Sequence, residues 1–426
     1  MNDVKPEKSK TFLRDVQYYK FCAYGFLKDL RFYEPFLMLF FLEKGLTFLH
    51  IGGLYAVREI SINLMEIPSG VFADALGRKR TMMVSFLAYI ISFIGFYVAS
   101  DYWMLIAAMI LYAVGDAFRT GTHKAMIFDY LQLKGWQHLK THYYGHTRSW
   151  SQRGAALSAL IAAALVFWQG SYAPIFLFTI VPYVLDMLLI ASYPKALNGP
   201  QVNSTRTVVE EFKHVLTALI TSFRRPQAFR AIANQAVYSG YYKACKDYLQ
   251  PILKSLAVGL PILLSLAGEE RTAILTGLVY FSLYLLTSLA SRNSGVFADR
   301  FNNLEAPLNG TLLVGIGTGL LSGLALLLEI PLLAVVLYLG IYIIENLRKP
   351  IGIAYVSERM DKAALASSLS VESQAETLFS AVIALLLGFF SNLLGLGLGI
   401  LVVSGMCFVL ALALRLPKHN ATSVVA

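Results

Sequence analysis

The chain has 426 residues, 57% of them apolar and only 15% charged, with mean hydropathy +0.59 and a formal net charge of +10. So little polar material cannot solvate a globule of that length, which excludes a water-soluble fold and places the chain in a bilayer. The basic surplus is scattered over many connections and forms no single patch, so nucleic acid is excluded as a partner.

A spanning helix needs about 20 apolar residues. By that measure the sequence predicts about twelve, near 22–42, 53–73, 81–99, 103–126, 148–168, 172–192, 227–249, 272–292, 307–328, 331–353, 366–390 and 394–414. The fold class is therefore all-α integral membrane, with two pseudo-symmetric six-helix bundles. The expected boundaries are an N-terminal bundle over 1–193, a cytoplasmic linker over 194–226 and a C-terminal bundle over 227–426.

The N-terminus is hydrophilic and carries Lys5, Lys8, Lys10, Arg14 and Lys20, unlike a cleaved signal. Further Lys and Arg residues fall in alternate connections, among them Arg78, Lys79, Arg80, Lys134, Lys195, Arg224, Arg359 and Arg415. The connections near Asp101, Gly170, Glu329 and Asn392 carry none. The positive-inside rule then puts both termini in the cytoplasm and the protein in the cell membrane. The sequons at Asn203, Asn309 and Asn420 fall on cytosolic or membrane segments, so glycosylation is not expected. Cys22, Cys245 and Cys407 lie in predicted spans without Cys-x-x-Cys spacing, and free thiols are expected.

Helix 1 carries Lys28, Asp29, Arg31 and Glu34, and Pro35 weakens the backbone ladder beside Glu34. Glu34 ranks first as a proton-linked or substrate-contacting acid, since an ionised group in the membrane survives only against a partner or a wet cavity. Helix 2 places Glu59, Asn63 and Glu66 on one stripe; Glu59 reads as a proton carrier and Glu66 as a cross-helix hydrogen bond. Helix 4 carries Asp116 and Arg119, three apart, and then Lys124. The following connection holds His138, His142 and His146 every fourth residue; with no acid among them a metal site is not predicted, and no cofactor is implied. Helix 6 has only Asp186.

The linker contains Thr207-Val208-Val209-Glu210, a capping-box pattern, ahead of Phe212, Val215, Leu216, Leu219, Ile220 and Phe223, which predicts an amphipathic surface helix. Helix 7 carries Tyr238, Tyr241, Tyr242, Lys243, Lys246 and Asp247, its tyrosines read either as cavity lining or as interfacial anchors. On helix 9, Gly315, Gly319 and Gly323 form a packing stripe. Helix 10 repeats the helix 4 pattern: Asp116, Arg119, Ala125 and Asp129 recur as Glu345, Arg348, Ala354 and Glu358, each displaced by 229. Acid and base three apart can neutralise one another or contact substrate. Helix 11 carries Glu372 and Glu376. Charge thus concentrates on every third helix, as a central aqueous path requires, and duplication with a site between the copies favours a transporter over a channel or membrane enzyme.

The duplication is plainest in Gly70-Val71-Phe72-Ala73-Asp74, which recurs as Gly295-Val296-Phe297-Ala298-Asp299 at an offset of 225, with Gly52 against Gly277 and Tyr55 against Tyr280 at the same offset. The first copy continues Ala75-Leu76-Gly77-Arg78-Lys79-Arg80 and resembles the signature loop of the major facilitator superfamily, Gly-x-x-x-Asp-x-x-Gly-Arg-Lys/Arg. The second departs after Arg300, reading Phe301-Asn302-Asn303. The resemblance implies secondary transport by alternating access. It also implies that Asp74 sits against Ala366-Ser367-Ser368 and that Arg78 pairs with Asp129, locking one face shut. The superfamily's antiporter pattern, Gly-Pro in helix 5, is not matched by Gly154 to Ala162, so the direction of transport stays open.

The reading is a monomeric transporter of a small polar or amphipathic solute, coupled to protons by symport or antiport, with efflux of drugs or metabolites as an alternative. Glu34, Arg31, Glu59, Asp116, Arg119, Lys243, Glu345 and Arg348 are expected in the cavity, and Gly70, Asp74, Gly77, Arg78, Asp129, Gly295 and Asp299 in the gating loops.

Overall fold

The computed structural model describes residues 13–120, 122–198, 226–261, 264–358 and 365–417, and every regular element among them is helical. The first pass is interrupted. α1 (Val16–Lys28) starts at Asp15, whose carboxylate accepts from the Tyr18 N–H at 3.0 Å. A 3-10 turn over Glu34–Phe36 then leads into α2 (Leu37–Glu43). Pro35 supplies no N–H, so the ladder cannot run through it.

α3 (Phe48–Leu76) begins at the Thr47 cap and passes to α4 (Arg78–Val98) through Gly77 alone. Its φ of +86 is a conformation that side-chain-bearing residues rarely adopt. The fourth pass is also divided, into α5 (Tyr102–Arg119) and α6 (Thr122–Leu133), and α7 (Lys140–Gln169) and α8 (Pro174–Ala191) complete the first bundle. The second bundle opens with another interrupted pass: α9 (Pro226–Cys245), a 3-10 turn over Lys246–Tyr248, and α10 (Leu249–Gly259). It continues through α11 (Gly268–Arg292), the short α12 (Ser294–Ala298), α13 (Glu305–Leu327), α14 (Pro331–Glu358), α15 (Leu365–Leu394) and α16 (Leu396–Ala413).

Nine stretches among the described residues are long and apolar enough to cross a membrane on their own. The passes outside that set are α1 with α2, α3, and α9 with α10. They carry Lys28 to Glu34, Arg58 to Glu66, and Lys243 to Asp247, so the same charges that lower their hydropathy mark them as lining helices. With these the described residues make twelve passes in two bundles, and an even number of passes brings both described ends to one face, here the terminal face.

Three expected spans need correction. The first begins at Val16 and breaks before Glu34; the fourth breaks at Thr120 and runs on to Leu133; the seventh does not stop near 249 but continues to Gly259. A window on hydropathy sees the apolar run but not a hydrogen-bond ladder that fails inside it. The predicted amphipathic helix of the linker lies outside the described residues.

Large exposed side chains such as Leu188, Val181, Leu185 and Val409 give the bundle an apolar exterior suited to lipid. Inside the first bundle the rings of Phe40 and Phe176 pack at 4.7 Å and those of Phe93 and Tyr183 at 4.9 Å. The Gly315 and Gly319 stripe receives the rings of Tyr238 and Tyr241, whose hydroxyls reach the Ile341 carbonyl at 3.1 Å and the Ser404 hydroxyl at 2.7 Å. Those two tyrosines are fully buried within the second bundle and are neither cavity lining nor interfacial anchors; Tyr242 alone faces the cavity. Between the bundles α3 packs on α15 at Gly52 and Gly388, where a Cβ on Gly388 would stand 2.6 Å from the Phe48 carbonyl oxygen.

Candidate functional site: a charged cleft between the bundles

The interruptions in the first and seventh passes face one another, and each leaves backbone groups without a helical partner. Gln250, fully buried near the start of α10, satisfies those of the first pass across the bundle interface, and the hydroxyls of Tyr338 and Tyr342 on α14 donate to the Cys245 and Lys246 carbonyls of the seventh. The Gln250 Oε1 accepts from the N–H groups of Met38 at 2.7 Å and Leu39 at 3.3 Å, and its Nε2 donates to the Glu34 carbonyl at 2.9 Å. One amide thus pairs the first N–H groups of α2 and the Glu34 carbonyl at the break that Pro35 makes. Phe48 stacks on Tyr248 at 6.1 Å nearby, so the bundles are joined on the side away from the terminal face.

Beneath this junction lies a chamber of about 300 Å3 lined by Arg31, Tyr33, Glu34, Arg58, Glu59, Tyr112, Asp116, Lys243, Lys246 and Asp247, among others. Its charges belong to two ladders of alternating sign that run on beyond its lining, and Glu345, expected in the cavity, stands in the second ladder outside both this chamber and the larger one beside it. In the first, Lys28 meets Asp29 at 2.9 Å, Asp29 meets Arg31 at 3.5 Å, Arg31 meets Glu34 at 3.7 Å, Glu34 meets Lys246 at 2.8 Å and Lys246 meets Asp247 at 3.8 Å. In the second, Arg58 meets Glu59 at 3.0 Å and Glu59 meets Lys243 at 3.9 Å. Lys243 also meets Glu376 at 2.9 Å, and Lys349 joins Glu376 to Glu345 at 3.6 Å each. Each ladder crosses between bundles once, at Glu34 with Lys246 and at Glu59 with Lys243, and each is neutral overall. Pairing of this kind offsets a burial cost of at least about 2.5–3.5 kcal/mol per unpaired ion.

Asp116 and Arg119 pair at 2.6 Å on α5, and Tyr89 donates to Asp116 at 2.7 Å while accepting from Arg119 at 3.2 Å. The repeated pattern in α14 behaves differently. Arg348 is fully buried inside the second bundle and donates to the Asn234 carbonyl at 2.8 Å, to the Asn234 side chain and to the Leu308 carbonyl, so it leaves Glu345 and lines neither chamber. Glu345 instead accepts from Ser239 at 2.9 and 3.1 Å. The expected cavity role of Arg348 is thereby corrected: carbonyl oxygens on α9 and α13 capture the guanidinium within its own bundle. Glu66 accepts from Gln374 at 2.9 Å and Ser373 at 3.4 Å, and Asn63 donates to Thr377 at 2.6 Å, a polar seam between α3 and α15.

A second chamber of about 400 Å3 lies between α1, α6 and α7 on the side of the terminal face, and shares Thr120 with the first. Arg119 lines it, together with Lys28, Asp29, Lys124 and Arg148.

At the loop between α3 and α4, Arg78 donates to Asp129 near the end of α6. Lys79 is held to the end of α8 through the Asn198 side chain at 3.1 Å and the Tyr193 carbonyl at 2.9 Å. Gly70 and Gly295 lie in open positions without close neighbours, and Asp299 ends α12. The side chains of Asp74 and of residues 366–368 lie outside the described residues, as do those of His138 and His142; among the described residues no metal-binding cluster forms.

Sequence reasoning missed Arg58 and Gln250. Arg58 carried a usable signal, a base beside Glu59 in an otherwise apolar run. A single glutamine before Pro251 carries none, because its role depends on a break in a helix more than two hundred residues away.

The pattern describing the Major Facilitator Superfamily matches residues 30–371. A curated relative, the uncharacterized MFS-type transporter YxaM of Bacillus subtilis (strain 168), is 24% identical over 303 residues, covering 66% of this chain and 72% of that protein. Among solved structures, the nucleoside transporter NupG aligns with a TM-score of 0.74 at 13% identity over 94% of this chain and 98% of its own. A bacterial homologue of the human lysosomal transporter Spinster, in an inward-facing and occupied conformation, aligns with a TM-score of 0.68 at 14% identity over 95% and 97%. A POT family transporter in complex with 5-aminolevulinic acid gives 0.66 at 14% identity over 93% of each chain.

Proposed function

The chain belongs to the major facilitator superfamily, and from that premise we propose that this integral membrane transporter carries a small polar or amphipathic solute by alternating access, coupled to protons, as a monomer with both termini in the cytoplasm. The observation that carries the reading is the pair of neutral ion ladders, each crossing once between bundles in the lining of the smaller chamber. Of the ladder rungs, only Glu34 with Lys246 and Glu59 with Lys243 join the bundles, and every other rung stays within its own bundle. Such a junction opens at a cost that solute or proton can offset.

Gln250 and the Phe48–Tyr248 stack support a state shut away from the terminal face. Arg78 pairs with Asp129 in this same state and both lie in the first bundle, so the pair braces the loop that Gly77 turns, and a lock on the terminal face needs partners for that loop from the second bundle.

For the proton, the acids differ in their partners. Glu34, first choice from sequence, is compensated by both Lys246 and Arg31. Glu372 is buried, forms no ion pair among the described residues, and has an Oε2 atom without a hydrogen-bond partner. Asp186 on α8 is also buried without an ion pair among the described residues, but it lines neither chamber, whereas Glu372 adjoins Ser373 in the lining of the smaller one. Glu372 is therefore the acid we assign to the proton, and Glu34 acts as the cross-bundle latch.

Solute flux in proteoliposomes with and without an imposed pH gradient tests the coupling. Gradient-driven accumulation that Glu372→Gln abolishes, with solute exchange at zero gradient retained, is the expected result. Equal flux under both conditions without proton movement eliminates coupling.

A further inference from the structure

We propose that the solute is a small organic anion and that Lys124 and Arg148 capture it; the inference rests on the transport reading above and names its substrate class. The two chambers together are lined by eight cationic and six anionic side chains, and pairing shows where the excess lies. In the chamber between α1, α6 and α7, Lys28 is taken by Asp29 at 2.9 Å and Arg119 by Asp116 at 2.6 Å. Lys124 and Arg148 line the same chamber from α6 and α7, and neither forms an ion pair among the described residues.

Lys124 is positioned rather than loose: its ammonium stands 5.7 Å from the Phe128 ring centre and 5.6 Å from that of Tyr144 on α7. Two uncompensated cations in one concavity repel each other, and low-dielectric walls strengthen their field on an incoming anion. A guanidinium beside an ammonium suits a carboxylate or phosphate group, the first by a two-pronged contact and the second as a point charge. A chamber of about 400 Å3 is within the size range of small-molecule sites.

The route inward gives the capture a consequence. Across Thr120 the anion reaches the smaller chamber, where Lys246 holds Glu34 at 2.8 Å. An anionic group that competes with Glu34 for this ammonium loosens one of the two rungs between the bundles, so binding and opening share one residue.

The test uses the full-length protein in phosphatidylcholine vesicles offered an equimolar mixture of carboxylates, phosphate esters, their neutral amide or dephosphorylated counterparts, and amines, with the contents read by mass spectrometry. At least tenfold enrichment of anions over matched neutral compounds is expected. The K124Q/R148Q variant should lose at least tenfold of that uptake while keeping the wild-type unfolding midpoint, since both positions are exposed. Enrichment of neutral or cationic compounds, or undiminished anion uptake by the variant, overturns the substrate class and leaves transport standing. If nothing accumulates, the transport reading fails instead, and the site is judged by the unfolding midpoint in citrate against sodium chloride of equal ionic strength. No rise there overturns the site too. Stabilisation by phosphatidylglycerol that K124Q/R148Q abolishes, without anion uptake, assigns the site to a lipid headgroup and overturns the proposal.

Discussion

At the scale of single residues, the two contacts that matter most are an ion pair and an amide. Glu34 and Lys246 come from different bundles and lie 2.8 Å apart in a partly buried setting. Removing one partner leaves Glu34 with only Arg31 at 3.7 Å, or Lys246 with only Asp247 at 3.8 Å, a loss smaller than the about 3–5 kcal/mol of breaking an isolated, fully buried pair. Glu34→Gln or Lys246→Gln alone is expected to reduce transport at least tenfold, and the double variant to lose no more than the worse single one, since an exchange of the two charges would set like charges against Arg31 and Asp247; flux by the four proteins, at equal reconstitution, decides this. Losses that multiply in the double variant remove the pair from the mechanism. Gln250→Leu leaves two N–H groups and one carbonyl unpaired in a buried place, at about 1–3 kcal/mol each. It should shift the population toward opening on the face away from the termini, read as faster maleimide labelling of a cysteine placed at Phe48. Unchanged labelling and an unchanged unfolding midpoint would sink the clamp. The two residues differ in how far sequence revealed them. An acid beside a proline inside an apolar run announces itself, because burial needs a reason. A glutamine does not, since an uncharged amide is tolerated in many settings.

At the scale of helices, periodicity and hydropathy located the passes well but not their interruptions. The break at Glu34–Phe36 was foreshadowed by Pro35. The break at Lys246–Tyr248 has Pro251 four residues past Asp247, where it can neither donate to that carbonyl nor leave room for it, whereas the break at Thr120 contains no proline. The Asp116 and Glu345 repeats show the same limit: similar residues three apart on α5 and α14 form a pair in one bundle and separate in the other, because Asn234 and the Leu308 carbonyl compete for Arg348. The glycine contacts between helices are more predictable from backbone approach. Gly388→Val would drive a branched side chain into the Phe48 carbonyl and Gly52, and overpacking of this kind costs about 1–3 kcal/mol. The expected outcome is a lower unfolding midpoint with slower transport. A midpoint equal to wild type would mean that α3 and α15 do not meet there.

At the scale of the whole molecule, alternating access requires that the bundles part on one face while they close on the other, and contacts joining them must therefore be transient. Phe48 on α3 and Tyr248 in the turn before α10 stack at 6.1 Å and belong to different bundles. Replacing both by cysteine and bridging them with a short disulfide-cleavable reagent fixes that face shut without touching either ladder. The native Cys22, Cys245 and Cys407 are free and buried, so background labelling is small. The bridged protein should still bind its solute from the terminal face but lose at least nine-tenths of net transport, and a reductant that cuts the bridge should restore it. Each single-cysteine variant, treated in the same way, should transport normally. This outcome separates a rocking carrier from a channel, because a conducting path through the cleft would not need that face to part from its neighbour in every cycle. Full transport by the bridged protein would mean that solute crosses without separating α3 from α10, and the two ladders would then be fixed struts rather than rungs that exchange.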